Sequence, residues 1–401
     1  MLNGLKVIEM ATYVAAPAAG GILADWGADV LKIEPLTGCP MRNFFASAMT
    51  DGYDDNPVFD LDNRGKRAIA INTSTEAGQQ LVRDLIKDAD IFITNLRPTQ
   101  LVEQGLDFAS LNAINPRLVY GSVTGFGLQG PEKDKPGFDS AAFWVKSGLA
   151  WIMTPKGSAP DPIRVAVGDH VTGISTTAGI LAGIIQAQKT GKGCLVESSL
   201  LRNATYVMGS DFGTYLRYER ISRTRQRQEP VVPMTNFFET KDNQWLFLNI
   251  RPGEPDWPDA MEALGITHIA DDERFSSPRE RRRHSSELIA IADEAFKKYD
   301  FEEWKNRLDA AQLIWSPVQS FAQVVNDPQA EAAGIFVDQP THDGNSYRAP
   351  ASPIRFHGHE DGPRGPAPTI GHDTDMVLKN LGKSATDIES LIAQGIVKSA
   401  T

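Results

Sequence analysis

A 401-residue chain with 41% hydrophobic and 23% charged residues has an ordinary globular composition, long enough for two domains with real cores and free of low-complexity tracts. Its net charge of −11 argues against broad nucleic-acid binding, although a few basic side chains and backbone amides still suffice to hold an anionic ligand. Cys39 and Cys194, the 2 cysteines, are too few for a disulfide scaffold or a thiolate metal site.

The first ten residues carry charge within a strand-like run and lack the basic region and apolar core of a secretory signal. No apolar run is long enough to span a bilayer, so a cytosolic enzyme without membrane contact is the expectation. Leu5 to Met10 reads as a first strand. Ala11 to Gly21 reads as a loop of small residues, Ile22 to Trp26 as a helix stopped by Gly27, and Asp29 to Glu34 as a second strand. Such a strand, helix, strand unit builds parallel sheets. The Ala, Gly and Pro of its loop fit two readings, close approach of a ligand to the backbone or tight packing of helix on sheet.

Arg67 to Ile71 gives a third strand, and Thr73 with Glu76 three residues on reads as a capping box for the helix through Leu81, Val82 and Leu85. Ile91 to Thr94 is a fourth strand ending at Asn95-Leu96-Arg97-Pro98, and Leu118 to Val123 a fifth. Strands alternating with helices predict an α/β, Rossmann-like doubly wound domain, whose ligands bind beyond the carboxyl ends of the strands, at Ala15, Asn95 and Gly125. Gly125-Phe126-Gly127-Leu128-Gln129-Gly130 matches the G-x-G-x-x-G pattern formally. That pattern needs a helix directly after the glycines, and the loop-forming Pro131 to Gly137 follows instead, so a nicotinamide site is a weak reading. Lys133 and Lys135 read on their own as solvated loop charges.

Val165 to Gly173 contains Gly168-Asp169-His170, and an apolar run, Ile174 to Ile185, follows. Gly168 suits a sharp turn, and Asp169 is placed as the N-cap of a buried helix. Two roles are open: a cap that satisfies free backbone amides, or a carboxylate kept ionised by those amides and the helix dipole and used as a nucleophile. Cys194 to Ser198 is a further strand and Leu200 to Tyr218 a helix. Basic, loop-like sequence from Arg220 to Pro233 marks a crossing into a smaller α+β region, with a strand at Trp245 to Asn249 and helices to about Ala311. Its cluster Arg281-Arg282-Arg283 reads as a solvated helix face. Ile314 to Val318 closes the region, and the tail ends in two short helices, Asp373 to Leu381 and Ala385 to Ala393. His357 and His359 lack supporting ligands for a metal, and neither a G-x-S-x-G elbow nor a Walker lysine loop is present.

Taken together, Leu5-Lys6-Val7-Ile8-Glu9, Ala15-Ala16-Pro17-Ala18, Leu23 to Pro35, Asn95-Leu96-Arg97-Pro98, Gly125-Phe126-Gly127, Gly168-Asp169 and Thr190-Gly191-Lys192-Gly193, in this order and spacing, resemble the family III CoA-transferases. That group includes formyl-CoA transferase, carnitine CoA-transferase and α-methylacyl-CoA racemase. The resemblance covers nearly the whole chain. It implies an EC 2.8.3 enzyme with a large Rossmann-like CoA-binding domain from residues 1–220 and 326–401, a small α+β domain inserted at 221–325, and an interlocked homodimer. It implies that Ala15, Ala16, Ile71, Asn95, Leu96, Arg97, Gly125 and Lys135 hold coenzyme A, which is a substrate; no permanently bound cofactor or metal is implied. Other members carry a basic residue near Pro35 and another near Glu103, and neither is present here.

Asp169 matches the aspartate that the transferases acylate, and the implied partners are an acyl-CoA and a carboxylic acid. The racemase branch uses a histidine in a Gly-His-Asp where this chain has Gly137-Phe138-Asp139, and Phe138 cannot take a proton. His170 adjoins Asp169 but points elsewhere if both lie in one helical turn. A non-catalytic CoA-binding protein is the third alternative, disfavoured by an intact Asp169. Within the transferases, the segments at Ala15 to Gly20, Asp134 to Asp139 and Gly168 to His170 look most like enzymes of aryl or branched 2-hydroxy acids. Arg251-Pro252-Gly253-Glu254-Pro255 stands where the oxalate enzymes have a glycine-rich lid. Trp144, Trp151 and Met153 fit either an apolar acyl pocket or plain core.

Overall fold

In the computed structural model, Lys6–Met10 (β1), Asp29–Glu34 (β2), Arg67–Ile71 (β3), Ile91–Thr94 (β4), Val119–Thr124 (β5) and Leu195–Ser199 (β6) form one parallel sheet. The structure describes residues 1–44, 56–251 and 253–400, so Pro252 lies outside the described residues. The strand order is β3-β2-β1-β4-β5-β6, and the short strand Val397–Lys398 pairs antiparallel with β3 at the edge. The order reverses between β1 and β4, which opens a crevice beyond their carboxyl ends.

β1 to β5 are buried along most of their length, which explains why β1 to β4 read as largely apolar runs, whereas β6 at the sheet's edge leaves Leu195 and Glu197 exposed. On one face Ile8, Ile33, Ile69 and Phe92 pack with Leu81, Val82 and Leu378. On the other, Val7, Val30, Ile91 and Val119 pack with Leu23, Ile180 and Ile184. Charged residues at central positions break the apolar rule, Glu9 on β1 and Lys32 and Glu34 on β2. Glu9 on β1 is fully buried and accepts from Lys32 Nζ at 2.7 Å and Lys66 Nζ at 2.6 Å. Both lysine head groups also donate to backbone carbonyls, of Ala11 and Pro17.

Several boundaries differ from the sequence expectation. The helix after β1 (α1) spans Ala15–Asp25 rather than starting at Ile22, so the small residues form its first turns instead of a loop. Alanine is the best helix former and Pro17 sits in the first turn, where its missing N–H costs nothing. Gly20 is required by packing, because a Cβ there would stand 1.9 Å from Glu9 Oε2. Thr75, not Thr73, caps the helix Glu76–Ile86, accepting the Gly78 N–H at 3.1 Å, because a turn held by Asn72 occupies residues 72–75. The predicted helix from Leu200 to Tyr218 is two, Leu200–Val207 and Gly209–Tyr218.

The chain divides into two units: Met1–Ala150 with Pro162–Glu219 and Gln329–Thr401, and Trp151–Asp161 with Arg220–Pro328. The segment Trp151–Asp161 therefore goes with the second unit, although the sequence kept it in the first. The first unit also holds an unanticipated antiparallel pair, Phe336–Pro340 with Ser346–Pro350. In the second unit, strands Asn236–Glu239, Trp245–Asn249 and Ile314–Pro317 form an antiparallel sheet. Phe238, Phe296 and the fully buried Trp304 stack in its core, and Trp304 Nε1 donates to the Phe296 carbonyl at 2.8 Å. Arg281 corrects the reading of a wholly solvated cluster: it is buried, pairs with Glu254 and donates to the Phe275 carbonyl at 2.7 Å. Among the described residues no helix is long and apolar enough to cross a membrane.

Candidate active site

A cleft of about 270 Å³ lies in the first unit at the carboxyl ends of β1, β4 and β5, and it brings together Ala15, Asn95, Leu96, Arg97, Gly125, Lys135 and Asp169. Residues from Thr12 to Leu200 meet there because three parallel strands deliver their following loops to the same edge, where the helix carrying Asp169 also begins. Ala16 and Ile71, the other two sequence-chosen residues, do not line the cleft. Both side chains are buried in the core, and Ile71 pairs with Val397 in the sheet, so a ligand could reach them through backbone alone.

The Asn95 carboxamide is engaged with the backbone of Thr12, which leaves one N–H of its Nδ2 for a ligand. Its Oδ1 accepts the Thr12 N–H at 3.0 Å and its Nδ2 donates to the Thr12 carbonyl at 2.7 Å. Thr94 Oγ1 adds a bond to the Met10 carbonyl at 2.8 Å. The loops after β1 and β4 are thus strapped together. Tyr13, next in the chain, sits at φ 61°, a left-handed conformation that non-glycine residues seldom adopt and that clusters at functional sites. Its ring meets that of Phe138 edge to face, with centroids 5.2 Å apart at 86°, and both line the cleft. Phe138 is 54% exposed. This aromatic pair forms an apolar wall that no residue spacing predicts.

Arg97 is exposed, and its guanidinium has no hydrogen-bond or ion-pair partner among the described residues. Lys135 pairs with Glu132 at 3.0 Å, and Glu132 also takes Lys146 at 2.7 Å. Such exposed pairs are worth little and exchange readily for a ligand anion. Trp151 and Met153, offered as pocket walls, lie in the second unit and are 51% and 56% exposed.

Asp169 sits in the first turn of the helix Val167–Thr190, at its third residue, and is not the N-cap. The sharp turn falls at Ala166, with φ 66°, while Gly168 is helical. Gly168 is needed for space instead, since a Cβ there would stand 2.5 Å from the Phe143 ring. Its N–H donates to Asp139 Oδ2 at 3.3 Å, which withdraws that amide from any role as an oxyanion donor. The Asp169 carboxylate has no hydrogen-bond partner among the described residues. Burial pushes its pKa up to about 7, the nearby Asp139 and Asp62 carboxylates add to this, and His170 draws it partly back. The carboxylate is therefore destabilised by its surroundings rather than held ionised by capped amides. A desolvated, unpartnered anion is a stronger nucleophile than a solvated one.

His170 turns away from the cleft, as neighbours in a helical turn must. Its Nε2 stands 3.2 Å from Asp62 Oδ1 in a separate cavity. Nothing in the spacing of Asp62 and His170 signals this meeting.

The model of CoA-transferase family III matches residues 2–374 of the chain. Over 401 residues the chain is 31% identical to the (R)-2-hydroxy-4-methylpentanoate CoA-transferase of Clostridioides difficile, covering 99% of this chain and 100% of that one. It is 31% identical to the cinnamoyl-CoA:phenyllactate CoA-transferase of Clostridium sporogenes over 397 residues, 98% of this chain and 96% of the other. Among solved structures, a CAIB/BAIF family protein from Brucella suis superposes with a TM-score of 0.83 at 29% identity, covering 94% of this chain and 98% of that one.

Proposed function

Because the chain belongs to CoA-transferase family III and is an enzyme of the EC 2.8.3 type, we propose that it moves coenzyme A between carboxylic acids through acyl intermediates on Asp169. The observation that supports this is the Asp169 carboxylate itself, half-buried, without a hydrogen-bond partner among the described residues and facing a cleft at the sheet's switch point.

The Asp169 carboxylate attacks the thioester carbon of the donor acyl-CoA, the C–S bond breaks, and CoA leaves as a thiolate, giving a mixed anhydride. The thiolate then attacks the Asp169 acyl carbon, which forms an aspartyl-CoA thioester and releases the donor acid. The acceptor carboxylate attacks that thioester and expels CoA thiolate, leaving an acceptor anhydride. Attack of the thiolate on the acceptor's acyl carbon yields the new acyl-CoA and restores Asp169. Every intermediate remains an activated acyl group, so no ATP is consumed.

Ala15, Leu96 and Gly125 offer backbone to the CoA, Asn95 fixes the loops that carry it, and Arg97 and Lys135 meet its phosphates. Ala16 and Ile71 belong to the same proposal through backbone alone. The acyl group lies against Tyr13 and Phe138, which favours a branched or aryl 2-hydroxy acid, the acid class named in both relatives. The working unit is an interlocked homodimer in the cytoplasm, and the exposed Tyr206, Val207, Leu216 and Tyr218 are consistent with a covered face.

The test is a transfer assay in which a panel of acyl-CoAs is offered to branched, aryl, short aliphatic and dicarboxylic acids, run in heavy water. New acyl-CoA formed without α-deuterium, fastest with branched or aryl 2-hydroxy acids, supports the proposal. Deuterium entering the α-carbon with no acid exchange removes it.

A further inference from the structure

We infer that Asp62 and His170 act as a positioning pair that keeps a positive charge beside Asp169 and so tunes the pH range in which its carboxylate is available. The inference rests on the reading of Asp169 as the nucleophile.

Asp62 belongs to the helix Pro57–Asn63, its side chain is 4% exposed, and its Oδ1 meets His170 Nε2 at 3.2 Å. Its other oxygen, Oδ2, is buried without a hydrogen-bond partner. A carboxylate so placed has one side-chain hydrogen-bond partner among the described residues, the imidazole, and it favours the charged ring. Burial works against a charged His170, but the Asp62 hydrogen bond and charge, with the charge of Asp169, outweigh it and raise its pKa above the ordinary value.

The ring cannot touch an acyl group in the Asp169 cleft, because it opens into a different cavity of about 280 Å³. It acts through its charge. Around Asp169 the charged groups are Asp139, whose oxygen accepts the Gly168 N–H, Asp62, and Arg97, Lys133 and Lys135 lining the cleft. Around His170 they are Asp62, with Asp25 and Arg64 in its cavity and Lys66 near Asp62. Asp25 is already satisfied by Arg64 at 2.6 Å and Lys66 by Glu9, which leaves Asp62 to serve His170. Two carboxylates press Asp169 toward its neutral form, and His170 is the charge that opposes them from the same helix. Once Asp169 is acylated its charge is gone, so His170 should titrate lower in the intermediate.

The experiment compares the pH profiles of kcat/KM for wild type, His170→Gln and His170→Lys, together with hydroxylamine trapping on Asp169 and the NMR titration of His170 in wild type and Asp62→Asn. The expected result for His170→Gln is an acid limb moved to higher pH by about one half to one unit. That is a loss of about threefold to tenfold below the limb and less than about twofold above it. His170→Lys restores the limb, and His170 titrates lower in Asp62→Asn. A loss in His170→Gln that is equal at all pH values, with trapping on Asp169 intact, overturns the inference and leaves a packing role. An absence of any trapped adduct in wild type removes both the inference and the nucleophile on which it rests.

Discussion

The carboxamide of Asn95 holds both backbone groups of Thr12, accepting its N–H at 3.0 Å and donating to its carbonyl at 2.7 Å. These residues follow β4 and β1, so a single side chain sets the width of the crevice at the sheet's switch point. Asn95→Ala is expected to raise KM for the acyl-CoA by about tenfold while kcat changes less than about threefold, and to lower stability by about 2 kcal/mol, one for each lost bond. Steady-state kinetics and urea unfolding check both. An unchanged KM would mean that the strap does not shape the site.

The Phe138 and Tyr13 rings form the apolar wall of the cleft. Removing one ring by Phe138→Ala should reduce the preference for an aryl over a short aliphatic acyl group by about tenfold, through loss of contact with the larger group. Competition between two acids for one donor reads this ratio directly. A uniform loss for both acids would assign Phe138 a structural role instead.

The core triad carries the next test. A Cβ at position 20 would meet Glu9 Oε2 at 1.9 Å, and Glu9 is the shared partner of Lys32 and Lys66. Gly20→Ala must displace a buried carboxylate from two buried ammonium groups. The expected cost is about 3 kcal/mol or more, in the range for breaking a buried pair. Denaturant unfolding that shows a change below about 0.5 kcal/mol would contradict this account of the glycine.

Asp169 also links stability to pH. Its folded pKa of about 7 lies above the ordinary 3.8, so between those values the native state binds more protons than the unfolded state. Stability due to this group is then highest at low pH and falls as pH rises toward 7. Asp169→Asn, which cannot ionise, should match wild type near pH 4 and exceed it by roughly 2 kcal/mol at pH 8, a figure reduced for a cleft open to water. Thermal or urea unfolding at the two pH values tests the sign. A variant less stable than wild type at pH 8 would contradict the strained carboxylate.

The parallel sheet was legible because strands buried on both faces must be largely apolar, as β1 to β4 are, and because they alternate with helices; β5 and the edge strand β6, Leu195-Val196-Glu197-Ser198-Ser199, carry that signal more weakly. The cleft was reachable for a related reason, since ligands gather where parallel strands end and Ala15, Asn95 and Gly125 follow such ends; Asp169 came instead from the glycine before an apolar helix and from the family resemblance, and the strap between Asn95 and Thr12 was not foreseen. The start of α1 was not legible, since Ala, Gly and Pro serve a loop and a closely packed helix equally, and only the contact of Gly20 with Glu9 decides between them. Thr75 displaced Thr73 because the Asn72 turn is a local hydrogen-bond arrangement that the capping pattern does not encode. Asp169 was misread as a cap because Gly168 looked like the turn, whereas the turn falls on Ala166. Asp62 and His170 stand 108 residues apart, and no periodicity links them.

The central claim is that Asp169 becomes acylated. Wild-type enzyme and Asp169→Ala would be incubated with an acyl-CoA, quenched with hydroxylamine, digested and mapped by mass spectrometry. The account predicts a hydroxamate on Asp169 in the wild type, formed only when acyl-CoA is present, and none in the variant, which should also lose transferase activity. Full transfer activity in Asp169→Ala, or an adduct mapped to another residue, would contradict it.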